Sequence, residues 1–272
     1  MASRILAKIP TSLFVLVALF AAACGRRGGV PSGDEDPSTS VGKEKAQAVV
    51  QKAVAAHGGE ERLGRLHRAR VAYRMQGSFD AMPMLTNVDI NVTETYELPA
   101  RMRKELRGHA GGREVDLGWV LGSKQSWYQE KGNELRTLAP VETAEREFRP
   151  FMMLDDLRRA RDLKWSIVDD SSKARPGTVA VRCTGPGREA RIYYFDEKTG
   201  LLAGSKDRQF VRGLDREALK EARLSGYKEE SGLMLYRRII SYQDGKQTSV
   251  ISIDEIQLLD KIDDNAFLPP ER

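Results

Sequence analysis

The sequence predicts an α+β fold in which an antiparallel sheet of about a dozen strands is wrapped around helices. Three observations lead there. Long runs alternate apolar and polar residues with a period of two, as strands with one dry and one wet face do. Most runs are joined by short Gly-, Asn- or Asp-containing connections, which suit antiparallel neighbours better than crossovers. Two stretches of helical period, one ahead of the strands and one midway, break the pattern. Strands of this kind can close into a barrel, stack as a sandwich or curl around a helix, and the two helical stretches favour the third.

The chain starts with an export signal. Arg4 and Lys8 precede an apolar run, Leu13 to Phe20, and the small residues Ala21, Ala22 and Ala23, so residues 1–23 have the order of a secretory signal peptide. The run falls short of the roughly 20 apolar residues a membrane span needs, so removal is expected. Cys24, directly after Ala22-Ala23 and before Gly25, resembles the lipobox cysteine of bacterial lipoproteins, although Ala21 stands where leucine is commonest. Ala21-Ala22-Ala23 also satisfies the A-x-A rule of ordinary cleavage. The resemblance implies a Cys24 thiol carrying diacylglycerol and an acylated, palmitate-type amino terminus, and two or three such chains anchor a protein stably. By the same resemblance, Gly25 in place of the aspartate that retains enteric lipoproteins at the inner membrane implies outer-membrane residence with the domain in the periplasm. Residues 24–42 then form the lipidated cysteine and a tether rich in Gly, Pro, Ser and acidic residues, with an average span of about 23 Å for its 18 residues after Cys24. The globular domain is expected over residues 43–272.

Within that domain, Ala46, Val49, Val50, Ala53 and Val54 share one helical face, and Gly58-Gly59 stops the helix. His57, at its end, reads as a capping or docking cation. A helical turn, Glu60 to Leu66, follows. Strands are expected where Val71, Tyr73, Met75 and Phe79 alternate with polar residues, and again at Val88, Ile90, Val92, Tyr96 and Leu98, where only Glu94 interrupts. Further strand runs are Arg101 to Arg107, Glu114 to Leu121 and Gln125 to Gln129. Val141 to Asp162 is helical, with Phe148, Phe151, Met152, Leu154 and Leu157 mostly on one face and Pro150 at a start or kink. Strands resume around Trp165 and Ile167, Val179 to Cys183, Ala190 to Phe195, Leu201 to Phe210 and Glu221 to Lys228. A final hairpin runs Met234 to Tyr242, turns at Asp244-Gly245 and returns through Thr248 to Leu258.

Composition argues against several functions. Charged residues of both signs make up 31% of the chain, and basic Arg158-Arg159-Ala160-Arg161 is flanked by Asp155, Asp156 and Asp162, a solvated face rather than a nucleic-acid site. His57, His67 and His109 lack metal-ligand spacing, no G-x-S-x-G or H-E-x-x-H occurs, and the acidic pairs Asp155-Asp156, Asp169-Asp170 and Asp263-Asp264 read as helix ends and turns. No catalysis, metal or cofactor is therefore expected. With Cys24 acylated, Cys183 is the remaining thiol, on the apolar face of its strand and hence a small buried hydrophobe.

Ala56-His57-Gly58-Gly59 followed by Leu63, Leu66 and a strand ending at Gly77 resembles the start of proteins related to the lipoprotein carriers LolA and LolB. The later stretch agrees: Tyr193-Tyr194-Phe195-Asp196 with Thr199-Gly200-Leu201, Tyr227, the Gly232 to Tyr236 turn, Ile251 to Ile256, and Asp263 through Phe267-Leu268-Pro269-Pro270. The resemblance implies an incomplete β-barrel, a strongly curved sheet covered by helices, enclosing an apolar cavity for lipid or lipoprotein acyl chains. Candidate lining residues are Val71, Tyr73, Met75, Val88, Ile90, Val92, Ile251 and Ile253 of the strands, with Phe151 and Leu154 of the inserted helix. The implied role is lipoprotein sorting or lipid transfer at the outer membrane. The alternative is a non-catalytic scaffold or envelope-stress sensor that binds another protein. Ala81-Met82-Pro83-Met84-Leu85 is an apolar loop, read as tucked against the helices.

Overall fold

The computed structural model describes residues 40–78, 86–99, 101–122, 125–139, 150–168, 175–185, 188–211 and 215–269. The signal, Cys24, most of the tether, the loop Ala81–Leu85, Phe148 and Asp169-Asp170 lie outside the described residues.

Helix α1, Ser40–Ala56, begins three residues inside the segment read as tether. It ends where Gly59 N–H bonds Val54 O at 2.9 Å, and a short α2, Glu60–Gly64, follows. Five strands and a two-residue sixth then form a meander: β1 Arg68–Gly77, β2 Val88–Glu97, β3 Arg101–Ala110, β4 Arg113–Leu121, β5 Trp127–Glu130 and β6 Arg136–Thr137. Helix α3, Met152–Arg158, separates this meander from a second. The second comprises β7 Lys164–Ile167, β8 Thr178–Gly185, β9 Arg188–Asp196, β10 Leu202–Val211, β11 Arg216–Ser225, β14 Arg238–Gln243 and β15 Lys246–Leu258, with a separate hairpin of β12 Lys228–Glu230 and β13 Leu233–Leu235.

Among the described residues, thirteen strands make one sheet in the order β6-β5-β4-β3-β2-β1-β15-β14-β11-β10-β9-β8-β7, and its ladders are antiparallel. The first and last strands join at its centre, where β1 and β15 pair over nine residues of β1. The two edges, β6 and β7, are therefore consecutive in sequence, and the segment linking them contains α3. Helix α1 packs on edge β7 and on α3, so helices lie where a barrel would close. The sheet remains an incomplete barrel, strongly curved and covered by helices, which agrees with the fold expected from sequence.

Inward-facing residues from all the strands but β6 and β12, and from all three helices, belong to one apolar cluster. Cys183 is part of it at 2% exposure, as the alternation of its strand requires. Two strand expectations need correction. Met234 to Tyr242 is not one strand: β13 leaves the main sheet to pair with β12, and the chain re-enters at Arg238. Strand β11 starts at Arg216, five residues before the expected Glu221, because its first half pairs with β10 although charged residues stand on both of its faces, Glu217 outward and Lys220 inward. The Asp244-Gly245 turn has φ of 50° and 81°, the left-handed pair that a tight hairpin needs.

Candidate functional site

The inner face of the sheet, the side that the helices cover, is where the ten candidate lining residues meet. Tyr73 lies between Val92 and Ile253, and Met75 between Ile90 and Ile251, in the registers of β1 with its neighbours. Phe151 and Leu154 approach from the α3 side. All ten are at most 5% exposed and belong to the same cluster. Helix α3 is held over this face by polar contacts. The Tyr236 hydroxyl donates to Pro150 O at 2.5 Å, and the Tyr193 hydroxyl donates to the Asp156 carboxylate. Asp156 thus sits buried within α3, which corrects its reading as a solvated helix end: it faces the sheet and meets a buried hydroxyl there.

A polar row crosses the apolar face of the first meander. Glu94 pairs across β2 and β3 with Lys104, and Lys104 across β3 and β4 with Trp119, which in turn lies opposite Tyr128 on β5 and Tyr128 opposite Arg136 on β6. The Lys104 ammonium is 2.8 Å from Glu94 Oε2, both side chains being fully buried. It lies 5.8 Å from the Trp119 ring centroid, and the Arg136 guanidinium 5.0 Å from that of Tyr128. Tyr73 Oη donates to Glu94 at 3.4 Å. Glu94 therefore does not interrupt the alternation of β2; it is in phase with Val92 and Tyr96 and points inward. Its place in that phase was the available signal. Lys104, between Met102 and Leu106, carried the same one.

A second row crosses the inner face of the other meander. Asp207 lies opposite Lys220, and Lys220 opposite Gln243. Arg191 of β9 holds Asp207 at 2.8 Å, and Gln209 donates to the same carboxylate at 2.9 Å. Lys220 donates to Gln243 Oε1, and burial lowers its pKa to about 8. Sequence reading passed over these residues, because only the register of four strands brings them into line.

His57 lies outside both rows. It is fully buried, Nδ1–H donates to Met234 O at 2.7 Å, and Nε2 accepts from Leu202 N–H at 3.2 Å. Burial lowers its pKa to about 4. The docking role expected from sequence is present, but the ring is neutral at pH 7 rather than cationic. Both nitrogens serve backbone groups of other strands, which fixes the tautomer and ties α1 to β10 and β13. Beside it, Tyr227 Oη donates to Leu202 O.

Outside, a cleft of about 280 Å³ lies over Gly118 and is lined by Arg103, Glu105, Arg107, Asp116, Gln129 and Lys131. Its walls are charged, and Arg103, Glu105 and Arg107 alternate with the buried Met102, Lys104 and Leu106, so it belongs to the wet face. Among the described residues there is no cluster of three or more metal-ligating side chains, and no helix is long and apolar enough to cross a membrane.

An open, curved antiparallel sheet whose consecutive edges are bridged by a helix-bearing segment, over a continuous apolar face, is the LolA/LolB-like fold. A LolA superfamily protein from Nitrosomonas europaea superposes on the chain with a TM-score of 0.52 at 14% identity, covering 82% of this chain and 97% of that one. A domain of a putative outer membrane lipoprotein-sorting protein from Vibrio parahaemolyticus gives 0.49 at 8% identity over 83% and 97%, and a DUF1329 family protein from Desulfovibrio piger 0.47 at 9% over 82% and 97%. No protein-family model and no curated protein matches the sequence. The likeness is one of fold.

Proposed function

We propose that the chain is a membrane-anchored envelope lipoprotein whose domain holds lipid or lipoprotein acyl chains against the inner face of the sheet. Its place in lipoprotein sorting or lipid transfer is at the outer membrane, with Cys24 acylated and residues 25–42 as tether. The observation that carries this reading is the breadth of the inner apolar face: Val71, Tyr73 and Met75, Val88, Ile90 and Val92, and Ile251 and Ile253 form adjacent rows in one cluster with Leu154 of α3. This face is buried under the helices in the described conformation, and acyl chains would match it without directional bonds once the cover moves. Cys24 and the signal ahead of it support the anchor, and the fold shared with the LolA superfamily protein supports the class of cargo. In the test, a fluorescent fatty acid is added to the full-length chain. Saturable uptake, with blue-shifted emission, is expected, and no uptake by folded protein would overturn the reading.

One observation favours a second reading. The ten candidate lining residues are at most 5% exposed and share one cluster with residues of all three helices, so the interior is packed in this conformation. A domain that stays so would be a scaffold or sensor for another envelope protein. Its mark is a cross-linked partner that persists when Val92→Trp and Ile253→Trp fill the interior.

A further inference from the structure

Two side chains of the second polar row have hydrogen-bonding capacity that the described residues leave unused. Lys220 donates to the neutral amide oxygen of Gln243, and among the described residues no carboxylate lies within 4.0 Å of its ammonium. Asp207, directly across the ladder from Lys220, is held by Arg191 and Gln209; Asp156 is held by Tyr193; and Asp244, at the neighbouring turn, is held by Arg216 at 2.7 Å. Lys220 is thus a cation on the inner face after the nearby carboxylates have been matched elsewhere. Gln209, 6% exposed, commits its amide nitrogen to Asp207 and leaves Oε1 with no partner among the described residues.

The ladders also show what lies beside Lys220. One step deeper, Ser205, Ala222, Ser241 and Ser249 stand in register across β10, β11, β14 and β15. Two steps further along β11, the next inward row is apolar: Leu224, Ile239 and Ile251. Passing from the end of the sheet inward, the lining is polar and charged, then small, then apolar. Met153 of α3 reaches the small row, where Ser205 Oγ donates to its sulfur at 3.2 Å, so the cover over this row is a flexible thioether.

We propose that Lys220, with Gln243 beside it and the row of small residues below, is the head-group site of the interior: the ammonium takes an anionic oxygen, carboxylate or phosphate, of an acyl lipid whose chain lies over the apolar inner face. The inference rests on the acyl-lipid reading above. A charged hydrogen bond in a partly desolvated site contributes more than one in water, and the compact ammonium accepts carboxylate and phosphate alike. Gln209 Oε1 adds an acceptor for a hydroxyl on the same head group. Chain burial would give affinity, and the row would give orientation, head toward the β10–β11 and β14–β15 turns.

The test compares oleate, oleoyl lysophosphatidate and methyl oleate as competitors of a bound fluorescent acyl probe, on the full-length chain and its Lys220→Met and Lys220→Arg variants. Methionine keeps the apolar stem and removes the charge. Expected is a preference of the wild type for an anionic lipid over the ester of about tenfold or more, lost in Lys220→Met and largely kept in Lys220→Arg. Whichever of the two acids is preferred then identifies the source of the anion. Unchanged ester affinity in the variants would show that their interiors are intact. If acids and ester compete equally in the wild type, or Lys220→Met keeps the preference, the head-group proposal is overturned and acyl binding stands. If nothing displaces or occupies the probe site in the wild type, the acyl-lipid reading itself fails.

Discussion

His57 illustrates how one side chain can hold three elements. Its neutral ring donates to Met234 O and accepts from Leu202 N–H, so protonation would remove the acceptor and place a charge in a buried site. The folded pKa, about 4, is below the ordinary 6.5. The unfolded chain therefore takes up the proton first as pH falls, so this contribution is intact above pH 6.5 and is lost progressively toward pH 4. The loss amounts to about 3 kcal/mol, read as the fall in urea-unfolding free energy over that window that His57→Gln no longer shows. A second expectation concerns Lys104 and Glu94, fully buried and 2.8 Å apart. Lys104→Met or Glu94→Leu alone leaves an unpaired charge in the core and should cost about 3–5 kcal/mol. The double variant, with no buried charge left, should regain most of that loss; additive losses in denaturant titrations would contradict the pairing.

At the scale of elements, the junction of α1 with the β12–β13 hairpin depends on backbone contact. Gly58 has φ of +110°, and a Cβ there would lie 2.4 Å from Gly232 O. Gly58→Ala should therefore destabilise by about 2 kcal/mol or more, measured as a lowered unfolding midpoint, whereas Gly64→Ala, with open space around it, should change little. The same junction shows what the sequence could and could not tell. The motif Ala56-His57-Gly58-Gly59 and the Gly232 turn were both visible, yet nothing local says that they touch. Long strands such as β1 and β2 were legible because period-two patterning is a local consequence of burying one face. The break of Met234 to Tyr242 into β13 and β14 was not, since β13 turns back on the neighbouring β12 and accepts at Met234 O the bond from His57, a residue far off in the chain. Both polar rows had the same difficulty: Glu94 and Lys104 each showed as one charge in an apolar phase, but a row exists only once register is set. Asp207 and Lys220 lay in strands whose two faces both carry polar residues, so the alternation did not single them out.

For the whole molecule, the fold supplies one continuous apolar inner face. The ten candidate lining residues were legible as a set, and the structure gathers them into one cluster; that they enclose a lipid remains our proposal, as does the acylation of Cys24. Anchoring has its own check, because Cys24→Ala should move the protein from the membrane to the soluble fraction, and a variant that still sediments with membranes would exclude a lipid anchor at this position. That variant also permits the most direct test of the central claim, since without its own acyl groups any acyl mass must come from cargo. The measurement is native mass spectrometry of full-length Cys24→Ala purified without detergent, with collisional release and identification of bound species. The expected spectrum contains chain plus one or more acyl lipids that dissociate to the bare mass. Only the bare mass, from protein that is folded and takes up no added lipid, would contradict it.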